Sequence, residues 1–217
     1  NGNIINPKEV CEKYGFEPET EVDIEYLLKP LARELSEIVE DDVESGHIFE
    51  AVHNVMENVK GAYSVVGMVR KKNGEYKIFA FCDEHKVRPL VYGAKGKSIM
   101  FASETVALDA LGYEYVGDLK PGEVIVVDED GIRSEVVKEG EPKHCFFEWI
   151  YFARPSSIIE GVSVYEARRK AGRILGRKLS GVRIDAVSYM PDSGRQCGEG
   201  VCDVLKKPLT DCLDKLK

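Results

Sequence analysis

The chain has 217 residues, of which 43% are hydrophobic and 31% are charged, so it can form the buried core of one large domain or of two small ones. Its formal net charge of −8 gives no basic footprint, which argues against broad nucleic-acid binding but leaves a small anionic ligand open. The sequence has no signal peptide, no apolar run of membrane length and no dense cysteine pattern among its six cysteines. We therefore expect a cytoplasmic protein with free thiols.

The first part of the chain predicts helices followed by strands. Asn6 and Pro7 at the start and Gly15 at the end predict a short helix that Asn6 caps. Two more helices are predicted over residues 21–38, where apolar residues recur at helical spacing, and over residues 49–60. Short β-branched or aromatic runs, separated by turn residues, then predict antiparallel strands at 62–69, 76–82, 89–92, 98–102 and 123–127. This order indicates an α+β layer domain that ends near residue 140.

The pattern changes in the second part of the chain. Residues 145–155 hold five aromatic rings and end in Arg-Pro, which indicates a join between two domains. Residues 164–179 predict a basic amphipathic helix. Residues 184–190 predict a strand that leads into the loop Pro191–Gly194 and then into a further helix. A strand, a small-residue loop and a helix open an α/β unit, and the loop lies where such units usually bind ligands.

A few residues can carry chemistry, although each also has a plainer interpretation. Asn1–Gly2 offers an amide and a backbone N–H that can hold an oxyanion, but Asn-Gly is most often a turn. Glu19 near a helix start can bind an ammonium group or simply complement the helix dipole. The Pro191–Gly194 loop can bring the Ser193 hydroxyl to a phosphate or a magnesium-bound oxygen, or be a simple turn. Cys145 is by default a buried hydrophobic residue.

Several of these weak signals belong to a longer series of segments: Asn1–Asn3, Gly61–Ser64, Arg88–Gly93, Ala102–Thr105 with Ala107–Gly112, Pro121–Glu123, Glu148–Arg168 and Pro191–Gly194. The series spans essentially the whole chain. In these segments and in their order, the chain resembles the amidophosphoribosyltransferases. These glutamine-dependent enzymes make phosphoribosylamine from phosphoribosyl pyrophosphate at the first step of purine biosynthesis.

The resemblance implies two joined domains. Residues 1–140 resemble part of an N-terminal nucleophile glutaminase domain with αββα layers, here incomplete. Residues 141–163 resemble the interdomain segment, and residues 164–217 resemble the first unit of an α/β phosphoribosyltransferase domain. The implied fold class is thus α+β, followed by the start of an α/β domain. The implied partners are glutamine and phosphoribosyl pyrophosphate, without nucleic acid or membrane, in a homo-oligomer when the protein is full length.

The resemblance also implies roles for individual residues. Asn1 and Gly2 match the family's oxyanion pair. The family's Ser-Asp-Ser/Thr-Glu element, whose Asp holds the substrate amino group, falls on residues 18–21, so that Glu19 replaces Asp and one extra methylene can weaken the contact. Ser193 matches a residue of the magnesium and phosphoribosyl pyrophosphate site. Cys145 matches the first ligand of the 4Fe-4S cluster that some members carry, although one thiolate alone cannot hold a cluster.

Other features depart from the family. The nucleophilic Cys and the Arg that clamps glutamine would lie upstream of Asn1, and the phosphoribosyl-binding Asp-Asp loop would lie downstream of Lys217. The family's Asp-Pro-His-Gly-Ile-Arg loop is here Asp83–Arg88, with Glu84 and Lys86 in place of Pro and Gly. We therefore expect an internal fragment that is inactive by itself. The rival hypotheses are a non-catalytic amidotransferase-like binding or regulatory module, and an amidotransferase of the glucosamine-6-phosphate synthase type, which lacks the aromatic junction and the Pro-Asp-Ser loop.

Overall fold

The computed structural model describes residues 2–213. The chain forms two compact units. The first unit comprises the residues up to Ser103 together with Gly112–Cys145, and the second comprises Glu104–Leu111 together with the residues from Phe146 onward. The domain limits inferred from the sequence stay a prediction. The aromatic segment does begin at Phe146, where the chain enters the second unit for the last time. No helix between residues 2 and 213 is long and apolar enough to cross a membrane.

The described part of the first unit contains three helices and two antiparallel sheets. The helices are α1 (Pro7–Tyr14), α2 (Glu25–Ile38) and α3 (Ser45–Asn58). The strands are β1 (Gly2–Ile4), β2 (Gly61–Arg70), β3 (Tyr76–Cys82), β4 (Val91–Lys95), β5 (Ser98–Ala102), β6 (Glu114–Asp118), β7 (Glu123–Asp128) and β8 (Gly131–Val136). Five of them form a sheet in the order β1-β2-β3-β7-β8, and the other three form a sheet in the order β5-β4-β6.

Alternation along β3 shows how the layers of the first unit pack. Phe79 and Phe81 point to one face of the large sheet, where they join the apolar core formed with α1, α2 and α3. Ala80 and Cys82 point to the opposite face, where they pack with Leu90 and with residues of the small sheet. The result is a helix layer followed by two sheet layers, which confirms the predicted α+β class.

The second unit is built around two packed helices. Its elements are α4 (Thr105–Leu111), a π-helical turn (Glu148–Phe152), β9 (Ile158–Ile159), β10 (Val162–Ser163), α5 (Val164–Lys178) and α6 (Arg195–Leu205). Helices α5 and α6 approach each other through glycines. A Cβ atom on Gly172 would lie 2.0 Å from the carbonyl oxygen of Cys197, and one on Gly200 would lie 2.1 Å from that of Arg169. Backbone therefore meets backbone in this interface, which no larger residue at these two positions permits.

Several predicted elements are confirmed and two predictions are wrong. Helix α1 ends as expected at Gly15, whose φ of 64° is left-handed. The side chain of Asn6 does not cap that helix, because it instead accepts the Lys60 N–H at 2.8 Å and donates to the Asn58 carbonyl at 2.9 Å. Residues 184–190 do not form the predicted strand. Among the described residues they find only one parallel bridge, from Val187 to Leu209, so the ladder of a strand cannot form.

Candidate active site

Strand β1 carries Gly2, the described member of the predicted oxyanion pair; Asn1 lies outside the described residues. Gly2 is opposite Tyr63 on the antiparallel neighbour β2. A Cβ atom on Gly2 would lie 2.6 Å from the carbonyl oxygen of Ala62 and 2.9 Å from the Cβ of Tyr63. Only glycine allows this close approach, so Gly2 has a steric reason to be there that is independent of chemistry.

A small pocket of about 30 Å³ lies beside Gly2 and is lined by Gly2, Ile4, Asp23, Ile24, Leu27 and Val65. This volume is enough for about two water molecules. Asp23 supplies the carboxylate of this lining, and its Oδ1 accepts the Ile4 N–H at 3.3 Å. The structure thus places a negative charge next to the glycine strand, in an otherwise apolar pocket.

Glu19, the acidic residue predicted for the substrate amino group, is not among the residues that line this pocket. Its side chain is 82% exposed and forms an ion pair of 3.0 Å with Lys29. Asp23, which does line the pocket, is not among the site residues predicted from the sequence. The signal that finds it is the spacing Asp23-Ile24-Glu25, which keeps the Asp-x-Glu of the family's element, whereas residues 19–21 have Glu in the first position.

Glu25 fixes the loop that leads to Asp23. Its carboxylate accepts the backbone N–H groups of Glu19 at 2.7 Å and Thr20 at 2.9 Å, and it forms an ion pair of 2.7 Å with Lys29. The Lys29 ammonium, followed by these backbone donors and the Thr20 hydroxyl, lowers the pKa of Glu25 to about 2. Glu25 is therefore ionised at neutral pH and supports the loop next to the pocket.

We expect Glu25→Gln to make the free energy of unfolding less dependent on pH between about 4.5 and 2. A carboxyl whose pKa is lowered by folding stabilises the protein fully above its unfolded pKa of about 4.5, and this stabilisation is lost as the pH falls towards about 2. Urea unfolding of the wild type and the variant across this range measures the difference. Glu37→Gln is the control, because Glu37 is on the same helix and both partners of its ion pair with Arg33 are more than half exposed. An equal acid slope in wild type and Glu25→Gln would contradict the assignment.

The loop after β3 is organised by Asp83, which is completely buried. Its carboxylate accepts the backbone N–H groups of Tyr63 at 3.0 Å, His85 at 2.9 Å and Val87 at 3.4 Å. Burial raises the pKa of Asp83, and these three donors oppose that rise. Since Tyr63 is the residue opposite Gly2, the buried carboxylate supports the strand on which the glycine of the site rests.

Lys86 occupies the position where the family has glycine, and its φ of 44° is in the left-handed region. A side chain at such a φ is strained. Lys86 is nevertheless 98% buried, and its Nζ lies 3.5 Å from the Asp118 carboxylate. The loop therefore forms despite the two replacements, with the lysine side chain contributing an ion pair that glycine cannot make.

The remaining predicted residues are not brought together with ligands for a metal. Cys145 is half-buried and donates its backbone N–H to the Val87 carbonyl at 3.0 Å, and Ser193 lies in the turn that precedes α6. Within residues 2–213, no group of three His, Cys, Asp or Glu side chains is arranged to hold a metal ion. The described residues thus do not by themselves fit a magnesium site or an iron-sulfur cluster.

Comparison with known proteins extends these observations. Residues 1–110 match the family model of the glutamine amidotransferase domain. Over 96% of the chain, the sequence is 38% identical to the amidophosphoribosyltransferase of Haemophilus influenzae, and it covers 44% of that protein. A chloroplastic amidophosphoribosyltransferase of Vigna aconitifolia is 48% identical over 66% of the chain and 28% of its own length. The chain thus spans less than half the length of these curated relatives.

Solved structures of related enzymes are also similar to this chain. The glutamine phosphoribosylpyrophosphate amidotransferase of B. subtilis, complexed with ADP and GMP, superposes with a TM-score of 0.82 at 28% identity and is matched over 97% of this chain and 44% of that one. A structure described as the allosteric regulatory enzyme of purine biosynthesis superposes with a TM-score of 0.81 over 97% of this chain. Both compact units of this chain therefore have counterparts in a single related protein. The chain belongs to the amidophosphoribosyltransferase family, and its first 110 residues are a glutamine amidotransferase domain.

Proposed function

We propose that this chain contributes to glutamine-dependent synthesis of phosphoribosylamine, in which ammonia from glutamine displaces pyrophosphate from phosphoribosyl pyrophosphate. The observation that carries the proposal is the continuous similarity to amidophosphoribosyltransferases over 96% of the chain, across both compact units. A separate glutaminase module would share only the first of these units. The reaction is the first step of purine biosynthesis.

In the proposed first half-reaction, Asp23 binds the ammonium group of glutamine, and Gly2 belongs to the site that holds the oxyanion of the acyl transfer. The position of Asp23 in the pocket beside Gly2 supports this assignment. A carboxylate in an apolar lining attracts a cation more strongly than an exposed one, because water screens the exposed charge. Glu19, with its exposed side chain paired to Lys29, is the weaker candidate.

We further propose that the 217 residues alone do not hydrolyse glutamine. The first unit contains Cys11, Cys82 and Cys145, and none of these lines the described pocket beside Gly2. Cys82 is completely buried, its thiol contacts the Lys120 carbonyl, and burial raises its pKa to about 12. A thiol that stays protonated and lacks solvent access cannot act as the nucleophile.

Other properties of the complete protein are proposals of the same kind. Magnesium would accompany phosphoribosyl pyrophosphate, with Ser193 near it, and a 4Fe-4S cluster would use Cys145 together with ligands from outside the described residues. A cytoplasmic homo-oligomer is proposed from the family resemblance. Iron and magnesium analysis of the full-length protein tests the cofactors directly.

The rival hypothesis, a non-catalytic binding or regulatory module, gains no support from the described residues. It rests on the replacements at Glu19, Glu84 and Lys86 together with the missing nucleophilic Cys. Asp23 provides a carboxylate at the pocket without Glu19, and the loop that contains Glu84 and Lys86 is formed around Asp83.

The test of the proposed function uses the natural full-length polypeptide that contains this chain. It should release glutamate from glutamine and pyrophosphate from phosphoribosyl pyrophosphate in equal amounts, while the isolated 217 residues release neither. Full-length protein that binds glutamine but forms no pyrophosphate would favour the regulatory module. Substantial glutamate release by the 217 residues alone would contradict the proposed inactivity.

We expect Asp23→Asn in that full-length protein to lower kcat/KM for glutamine by about 10- to 150-fold, the loss of one hydrogen bond to a charged group. Synthesis supported by added ammonia should be unchanged, because ammonia bypasses the glutamine pocket. Glu19→Gln is the matched control and should stay within about twofold of the wild type. The reverse ranking of the two variants would assign the ammonium contact to Glu19.

A further inference from the structure

Helix α4 belongs to one domain by sequence and to the other unit in space. Glu104 and most of α4 lie within the glutamine amidotransferase match, which ends at residue 110. In the structure, Glu104–Leu111 is part of the second unit, although β5 before it and β6 after it belong to the first. The chain therefore crosses between the units at residues 103/104, 111/112 and 145/146. An excursion of eight residues that twice crosses a domain boundary needs a structural or functional reason.

The excursion is anchored by hydrogen bonds to the loop after the π-helical turn. The Glu104 carboxylate oxygen Oε2 accepts the Arg154 N–H and the Ser157 hydroxyl, each at 2.7 Å. The adjacent Thr105 accepts the Ile158 N–H on its Oγ1 at 2.9 Å. Ser157 is completely buried and Thr105 nearly so, which shields these bonds from competing water.

From this loop the network continues into α5. The Val164 N–H donates to the Ser157 carbonyl at 3.0 Å, and the Tyr165 N–H donates to the Pro155 carbonyl at 3.0 Å, so the loop holds the first turn of the helix. Further along α5, the buried Arg168 guanidinium forms hydrogen bonds with the π-helical segment and the residue that follows it.

Arg168 donates to the carbonyl oxygens of Trp149 at 2.6 Å and Ala153 at 2.8 Å. Burial lowers the pKa of Arg168, and the negative charge of Glu104 opposes this effect. Glu104 and Arg168 thus hold opposite ends of one hydrogen-bonded segment.

We propose that Glu104 is a positioning residue that couples glutamine hydrolysis to ammonia use, by fixing the junction loop 153–158 and the start of α5. This inference rests on the proposed function. The physical reason is that coupling between separate sites can be carried by a connected element of packed and hydrogen-bonded residues. Glu104 is such an element, because it is two residues beyond β5 and bonds directly to the loop that begins α5.

The test measures three rates in the full-length protein: glutamate release, pyrophosphate release with glutamine, and pyrophosphate release with ammonia. In Glu104→Gln, glutamate release and the ammonia-dependent rate should stay within about twofold of the wild type. Pyrophosphate formed per glutamate released should fall about fivefold or more. Ser157→Ala, which removes one of the two bonds to Oε2, should cause a smaller fall.

A matched control is Asp109→Asn, since Asp109 is exposed on the same helix and its replacement removes the same charge. It should leave the ratio unchanged. The fall in the double variant Glu104→Gln/Ser157→Ala should be smaller than the sum of the two single effects, because both changes act on the same contact. An unchanged ratio in both Glu104→Gln and Ser157→Ala, or an equal loss of all three rates in both, would overturn the inference. A wild-type protein without any of the three activities would overturn the proposed function itself, and the inference with it.

Discussion

Asp83→Ala is expected to lower the free energy of unfolding of the first unit by about 3–5 kcal/mol, because it leaves buried backbone donors without an acceptor. The native carboxylate is completely buried and serves three N–H groups, those of Tyr63, His85 and Val87. Water can reach part of the space left by the removed side chain, so the cost should be below the sum of three fully unsatisfied donors. Denaturant unfolding followed by far-ultraviolet circular dichroism measures this loss.

Hydrogen exchange locates the effect of the substitution. Protection should fall first at the amide of Tyr63 and along the loop 83–88, since these groups lose their acceptor. Because Tyr63 is opposite Gly2 in the sheet register, protection should also fall in β1. Asp130→Ala is the control, as the Asp130 side chain is 70% exposed and should cost less than about 0.5 kcal/mol. Similar losses in the two variants would show that the buried network does not stabilise the unit.

Asp83→Asn distinguishes the charge from the shape of this side chain. The amide keeps one acceptor oxygen but turns an NH₂ group towards a backbone donor, so we expect a loss between that of the control and that of Asp83→Ala. A variant as stable as the wild type would mean that a single neutral acceptor is sufficient for the loop.

Local signals explain which elements the sequence could predict. The end of helix α1 is signalled locally by Gly15, which directly follows the helix. Strands β2, β3, β5 and β7 are signalled by short apolar or β-branched runs in their own sequences. Strand β8 was missed because all six of its residues, Gly131–Val136, are exposed at the edge of the sheet and show no alternation. Strand β1 has three residues and forms only through its distant partner β2. Residues 184–190 have strand composition but find a single bridge among the described residues.

Some residues of the candidate site could likewise be predicted from the sequence, whereas others are visible only in the fold. The family resemblance pointed to Gly2, and its close approach to β2 is visible only in the fold. Asp23 was missed because residues 18–21 were assigned to the family's element with Glu19 in place of Asp, although Asp23-Ile24-Glu25 keeps the Asp-x-Glu spacing. The pocket lining includes Asp23 and not Glu19. The role of Asp83 depends on Tyr63, twenty positions away, and thus on a tertiary contact that no local pattern reports. The left-handed φ of Lys86 is uncommon for a residue other than glycine, so its residue type does not predict this conformation.

Gly200→Ala is the second change with a large expected effect, a loss of about 2–3 kcal/mol in the stability of the second unit. The new Cβ would lie 2.1 Å from the Arg169 carbonyl oxygen and 2.9 Å from the Arg173 nitrogen, both of which are backbone atoms of α5. Backbone cannot rotate away as a side chain can, so α5 and α6 must separate. The gain in helix propensity from Gly to Ala, about 1 kcal/mol, only partly offsets this cost.

The single tryptophan, Trp149, lies in the second unit and allows its unfolding to be followed by fluorescence. Gly172→Ala, on the facing helix, should cause a similar loss, because its Cβ would lie 2.0 Å from the Cys197 carbonyl oxygen. Gly181→Ala is the control, since no atom lies within 4 Å of the added Cβ. The double variant should lose less than the sum of the two single losses, because one separation of the helices relieves both clashes. Strict additivity, or a Gly181→Ala variant as unstable as the others, would show that close glycine packing is not what holds α5 and α6 together.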